Sequence, residues 1–282
     1  MNQTFALSYI QSEQLLAARE KGLARLQVSL DLGLNLSWVE LTAQGVLLED
    51  GSQLAWEQIE IIHQDETCCY RVGQGQASPI RLFSPISGKV FSLMPTRGAP
   101  TLLISGIPMH RFKDVDPHQD TLAKIKAAAP IYGKVLDTAT GLGYTAIQAA
   151  RTASEVITIE LEKEVLEIAR QNPWSKALFT EPKIHQIIGD AFEEMENFAD
   201  GEFRLIIHDP PAFSLAGELY SAEFYRQAYR VLNSSGRMFH YIGDPQSKMG
   251  AGVQRGVIRR LQQAGFSRIL RKPQAFGLLA IK

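Results

Sequence analysis

The chain has 282 residues, 45% of them hydrophobic and 21% charged, with 29 Lys and Arg against 30 Asp and Glu. That is an ordinary globular composition with enough apolar material for one large domain or two modest ones, and a formal charge of -1 gives the molecule as a whole no polyanion-binding character. No apolar run approaches the roughly 20 residues of a membrane span, and the opening residues lack the basic-then-apolar order of a secretory signal.

Residues 12–21, SEQLLAAREK, predict a short helix closed by Gly22. The segments LARLQVSLDLG, LSWVELTAQGVLLEDGSQLAW, IEIIHQDETCCYRV, PIRLFSPISGKVFSLMP and PTLLISGIPMHRF then alternate at period 2 and break at turns such as Asp50-Gly51. They predict a small β-rich domain over residues 1–114. Its two cysteines, Cys68 and Cys69, are adjacent, which suits neither a structural crosslink nor a metal spacing and fits a reducing cytoplasm.

At DVDPHQDTLAKIKAAAP the pattern turns helical, with Asp116 as N-cap, Pro117 at the first helical position and Gln119 at the third. The alternation of Asp114, Asp116, His118 and Asp120, with His110 nearby, also has the form of a metal-ligand run. A helix starting at Pro117 spreads those side chains around its axis, so no metal site is predicted. From residue 133, strand patterns at 134–138, 155–159, 184–188, 203–208 and 235–241 alternate with helices. Such alternation predicts a parallel sheet covered on both faces, within a second domain over 115–282. The tail, FSRILRKPQAFGLLAI, reads instead as two strands joined at Pro273, hence an antiparallel hairpin.

The first strand of this α/β region ends in a glycine turn, VLDTATGLGYTA. Gly141 and Gly143 permit a tight turn and close approach of a ligand at the strand's carboxyl end. By spacing alone GLGYTA matches G-x-G-x-x-A, and Glu160 ends the second strand where a carboxylate accepts both ribose hydroxyls, so a nicotinamide cofactor competes here. A phosphate-binding loop does not, because its lysine is absent. Asp190 lies just beyond the third strand, placed to accept from an adenine amine or to cap the helix that follows. Asp209 ends the fourth, before Pro210 and Pro211. With Asp137, near the turn that receives a methionine moiety, four acids mark four successive strand ends. A cationic sulfonium with a free amino group has use for all of them.

The stretch 133–243 resembles the catalytic core of the class I S-adenosylmethionine-dependent methyltransferases. The glycine motif stands as Asp137-Thr138-Ala139-Thr140-Gly141-Leu142-Gly143, the ribose acid as Glu160, the adenine-side acid as Asp190, and the Asp-Pro-Pro motif as Asp209-Pro210-Pro211. LDTATGLGYTA, NPWS, HDPPAFSLAGELYSAEFY and GRMFHYIGDP also resemble a group of archaeal and cyanobacterial methyltransferases, over most of the chain and including VSLDLG. The resemblance implies an α/β, Rossmann-like seven-stranded sheet with a C-terminal antiparallel hairpin, preceded by the smaller β-rich domain. It implies S-adenosyl-L-methionine as cofactor, held by Asp137, Thr140, Gly141, Gly143, Glu160, Asp190 and Asp209. Tyr144 either contacts the cofactor or packs on the sheet.

In the amino-group methyltransferases of that superfamily, the Asp and the carbonyl of the first proline hold an exocyclic amine. An aromatic directly after the second proline stacks on the base. Here Ala212 takes that place and Phe213 follows, a departure from the adenine-type pattern. Asp-Pro-Pro-x-Phe also occurs in methyltransferases of large ribosomal RNA. Carbon-5 chemistry on cytosine needs a cysteine near this loop, and Cys68 and Cys69 lie elsewhere. The catalytic candidates are therefore Asp209, Pro210 and Phe213, with His208, which either tilts into the site or packs under the sheet. His240 faces the same choice. Tyr225 and Tyr229 share a helical face and read as core, and Tyr220 follows SLAGEL, a segment suited to closing over an acceptor.

The leading expectation is methyl transfer to a nitrogen, with a nucleobase in RNA as candidate acceptor and the N-terminal domain holding it. After Asp244 no acidic residue occurs, while Lys248, Arg255, Arg259, Arg260, Arg268, Arg271, Lys272 and Lys282 do, a basic end that suits RNA. The alternatives are an aminopropyltransferase acting on a polyamine, a non-catalytic cofactor sensor or RNA-binding module, and an NAD-dependent enzyme.

Overall fold

A computed structural model describes residues 5–213, 215–244 and 248–282, with backbone alone at 248–251. The chain divides into two compact units, Met1–His118 with Glu164–Lys176, and Gln119–Lys163 with Ala177–Lys282. No helix among the described residues is long and apolar enough to cross a membrane.

In the first unit β1 (Phe5–Leu7) leads into α1 (Tyr9–Glu20). The helix starts earlier than the pattern predicts because Ser8 and Gln11 form a reciprocal capping box, and it stops at a left-handed Gly22. A meander follows: β2 (Arg25–Val28), β3 (Ser37–Leu41), β4 (Gly45–Leu47) and β5 (Gln53–Ala55), all antiparallel. The predicted strand at IEIIHQ is instead α2 (Trp56–Gln64). Trp56, Ile59 and Ile62 are buried at three-residue spacing while Ile61 is 49% exposed, so the helical period wins over a run of isoleucines. β6 (Tyr70–Gly73) and β7 (Gln76–Pro79) join β1, and β8 (Arg81–Phe83), β9 (Val90–Met94), β10 (Thr101–Ile104) and β11 (Ile107–Pro108) form a third small sheet. Phe5, Leu15, Val39, Leu54, Ile59 and Val72 belong to the apolar core.

The second unit takes most of α3 (Pro117–Ala128), whose Asp116 side chain accepts the His118 N–H at 2.9 Å, the expected N-cap. The strands that follow are β12 (Lys134–Asp137), β13 (Glu155–Glu160), β14 (Ile184–Ile188), β15 (Phe203–His208), β16 (Leu232–Tyr241), β17 (Arg268–Lys272) and β18 (Gly277–Ile281). They form one sheet in the order β14-β13-β12-β15-β16-β18-β17. The first five run parallel, and β18 is antiparallel to both its neighbours. The helices of this unit are α4 (Tyr144–Ala150), α6 (Lys176–Thr180) but for its first residue, α7 (Ala191–Glu194), α8 (Ala222–Val231) and α9 (Lys248–Gln263). By contrast α5 (Lys163–Gln171), which intervenes in sequence, belongs but for its first residue to the first unit. Near-continuous apolar runs such as Leu205-Ile206-Ile207 are buried, as strands covered on both faces require. Phe203, Phe224, Tyr225, Val257, Leu261 and Phe266 are among the core side chains, and Tyr229 packs edge-on to Phe266.

Residues 164–176 group with the first unit through the NPWS motif. Asn172 caps the turn Pro173–Ser175, the Trp174 indole N–H donates to the Leu32 carbonyl at 3.0 Å, and its ring lies 5.4 Å from that of His118.

Candidate active site

Parallel register brings the strand ends to one rim: Asp137 lies level with Thr158 on β13 and with Ile207 on β15. Glu160 and Asp209 each stand two residues further out, on strands about 10 Å apart across β12. The two glycines of the turn serve different ends. Gly141, at φ +52°, has nothing within 4 Å of where a side chain would begin, so the backbone faces open space. Gly143, at φ +76°, has Leu178 at 2.7 Å from that position, and its smallness is needed for packing. The Gly141 N–H donates to Glu160 Oε2 at 2.8 Å and the Glu162 N–H to Oε1 at 3.1 Å. One backbone donor on each oxygen fixes the carboxylate and leaves a second lone pair on each for a ribose diol. Desolvation raises the Glu160 pKa to about 7.

Asp137 is fully buried. Its Oδ2 accepts from the hydroxyls of Thr158 at 2.9 Å and Thr145 at 3.2 Å, while its Oδ1 is buried with no hydrogen-bond partner. Burial raises this carboxyl to about 7, with the nearby Asp209 and Glu160 charges adding to the effect against the two hydroxyls. The hydroxyls of Thr140 and Thr158 lie 2.6 Å apart, and since Thr158 gives its proton to Asp137, Thr140 donates to Thr158. Thr140 and Tyr144 are 3% and 5% exposed, which makes them parts of the wall rather than of its surface. Asp190 caps α7 by accepting the Phe192 N–H at 2.8 Å on Oδ1, leaving Oδ2 for an adenine amine. An unsatisfied buried carboxylate oxygen, an open glycine turn and a diol-ready glutamate fit S-adenosylmethionine, which carries an ammonium group, a ribose diol and an adenine amine.

Asp209 is 18% exposed in its side chain, enough to meet a ligand. Its Oδ2 is 2.6 Å from Nζ of Lys124, a side chain only 2% exposed that also lies 3.0 Å from Asp120 Oδ2 and 4.3 Å from the centre of the Tyr241 ring. Desolvation raises the Asp209 carboxyl, and Lys124 works against that rise. The loop beyond is fixed by the Tyr220 hydroxyl, which donates to the Pro211 carbonyl at 3.0 Å. Phe213 is 49% exposed and meets Tyr220 edge-on at 5.4 Å, so it is a rim residue rather than core. Ser214 of SLAGEL lies outside the described residues.

His208 does not tilt into the site. It is fully buried, stacked on Phe224 at 4.5 Å, with Nε2 donating to the Leu219 carbonyl at 2.9 Å and Nδ1 accepting from Thr138 at 2.6 Å. Burial lowers its pKa to about 3, so the ring is neutral with both nitrogens spent. His240 is buried beside it and shares a 2.9 Å hydrogen bond with the Tyr225 hydroxyl. Strand alternation turns His208, the last residue of β15, inward, the opposite way from Asp209. His208→Phe is therefore expected to lower stability by about 1–3 kcal/mol for each stranded partner. Urea unfolding measures that loss, and the folded variant keeps kcat within severalfold. A collapse of kcat at unchanged stability would return His208 to the catalytic set. Among the described residues no three His, Cys, Asp or Glu side chains gather as metal ligands.

The family model described as a methyltransferase domain matches residues 132–257. The uncharacterized protein MJ1233 of Methanocaldococcus jannaschii is 45% identical over 231 residues, 81% of this chain and 78% of that protein. MJ1653 of the same organism, provisionally named a ribosomal RNA large subunit methyltransferase, is 32% identical over 105 residues, 36% of this chain and 26% of its own. Among solved structures, a spermidine synthase in complex with the transition-state analogue AdoDATO superposes with a TM-score of 0.59 over 72% of each chain at 20% identity, a likeness of fold. With the strand order, the glycine turn and the acids at the strand ends, these matches make the chain a member of the class I S-adenosylmethionine-dependent methyltransferase superfamily, in one family with MJ1233.

Proposed function

We propose that the enzyme methylates a nitrogen of an uncharged acceptor, a nucleobase in RNA. The observation that carries this reading is Asp209, partly exposed at the strand end, ahead of two prolines and already paired with a buried ammonium. Bound S-adenosylmethionine supplies an electrophilic methyl group on a sulfonium. Asp209 Oδ1 and the Pro210 carbonyl accept the acceptor's N–H groups, which turns its lone pair toward the methyl. Most of the rate then comes from positioning and from a carboxylate already placed where positive charge grows on nitrogen. Phe213, on the rim, offers a face to a planar acceptor. Aminopropyl transfer to a polyamine is the weaker reading, because Lys124 already occupies Oδ2 of the carboxylate on which a polyammonium chain would depend.

The basic C-terminal elements support RNA over a free small molecule. Arg255 and Arg259 are exposed on one side of α9, and Arg268 and Arg271 on the edge strand β17; the Lys248 side chain lies outside the described residues. Register links His208 to His240, His240 to Leu278 and Leu278 to Arg271, so Arg271 is level with the site. Three strand spacings put it about 14 Å away, a distance that phosphates flanking a target base span. We assign acceptor recognition also to residues 1–114, and methyl transfer to 115–282. Exposed to cellular RNA, protein and small-molecule fractions with labelled S-adenosylmethionine, the enzyme is expected to label RNA. R255E/R271E weakens that labelling severalfold and leaves S-adenosylhomocysteine affinity unchanged. Label confined to another fraction would refute the RNA acceptor.

A further inference from the structure

Lys124 comes from α3, 85 residues before its partner, and its charge is almost wholly withdrawn from water. Burial alone lowers a lysine's pKa, yet the carboxylates of Asp209 and Asp120 hold this one above its ordinary range. Its ammonium donates to Asp209, forms an ion pair with Asp120 at 3.0 Å and lies over the face of Tyr241. A buried ion pair is poor value for stability, since apolar residues of similar volume do as well or better. Near a reaction that creates positive charge, an additional cation is a further disadvantage unless it does something to the carboxylate. What it does is geometric. A free aspartate carboxylate turns about a broad, two-fold torsion, whereas one with an oxygen clamped at 2.6 Å cannot.

We propose that Lys124 is a positioning residue: it ties Oδ2 of Asp209 to α3, so that Oδ1 alone is presented to the acceptor nitrogen. The assignment rests on the reading of Asp209 as the group that holds the acceptor. It adds a selection rule, because an acceptor arriving with its own cation meets a carboxylate already paired. The other ionisable groups around Asp209 are Asp120 on α3, Asp137 on β12, Tyr220 and Tyr241. Among these groups Lys124 is the cation, so its removal acts on Asp209 in one direction.

The test uses the full-length protein labelled with ¹³C at the aspartate side-chain carboxyl, the Asp209 resonance being identified by its loss in Asp209→Asn. In Lys124→Met the protonation midpoint of Asp209 rises by about one pH unit or more, tenfold in proton affinity. D120N/K124M removes one charge of each sign; losing the Asp120 charge offsets part of the rise, so it gives a smaller shift in the same upward direction, and it answers the question if the single variant does not fold. Both variants transfer label to the acceptor fraction about tenfold or more slowly, as loss of a preorganised group predicts, with S-adenosylhomocysteine affinity retained. An unmoved Asp209 midpoint overturns the inference, as does wild-type transfer by K124M while D209N is slow. Wild-type transfer by D209N overturns the acceptor reading itself.

Discussion

Asp209→Ala lowers kcat by about 10² to 10³, or roughly 2.7–4 kcal/mol, the usual cost of losing one preorganised electrostatic group. S-adenosylhomocysteine affinity stays near that of the wild type, because Glu160 and Asp190 stand on other strand ends and are not paired with Asp209. Asp209→Asn keeps an oxygen that can accept from the acceptor's N–H and loses the charge, so its rate falls between wild type and alanine. The alanine variant also leaves Lys124 buried without its nearest carboxylate, and a buried ion deprived of a partner costs about 3–5 kcal/mol of stability. Rates are therefore read in single turnover on protein shown to be folded. If D209A methylates at the wild-type rate, Asp209 does not position the acceptor.

Glu160→Ala weakens S-adenosylhomocysteine binding by about tenfold or more. Two charge-assisted hydrogen bonds to a ribose, each worth roughly 1.5–3 kcal/mol, are lost, and water recovers part of the difference. The pH dependence follows from the raised pKa. Without ligand this carboxyl titrates at about 7, and hydroxyl donors favour its ionised form. Binding therefore expels protons below that pH, and affinity rises as pH climbs toward 7 and levels off above it. Calorimetry in two buffers of different ionisation enthalpy detects those protons, and Glu160→Gln reduces their number. Unchanged affinity in a folded E160A variant would remove Glu160 from the cofactor site.

The methyltransferase half was legible because its signals are local. The glycine turn after β12 needs left-handed backbone at residues 141 and 143, and each acid follows an apolar run short enough to be only a strand. The cap at Asp116 and the final hairpin were equally readable. Lys124 was not. One lysine of an amphipathic helix looks like any other, and its burial depends on Asp209, 85 residues later. The inward turn of His208 was hidden for the same reason, since its partners are a hydroxyl and a carbonyl supplied by distant segments of the chain. The α2 helix was misread because Ile59, Ile61 and Ile62 satisfy a strand pattern until the exposure of Ile61 is known.

The Trp174 indole donating to the Leu32 carbonyl ties residues 142 apart in the chain into a single unit. Domains generally fold as units from the N-terminus while the chain is being synthesised. Here the first unit still lacks residues 164–176 when its opening 118 have left the ribosome. By the time Trp174 emerges, β12, α4 and β13 of the second unit have already been translated. The two units thus come to completion in overlapping order, and a ribosome stalled between residues 118 and 164 carries neither of them whole.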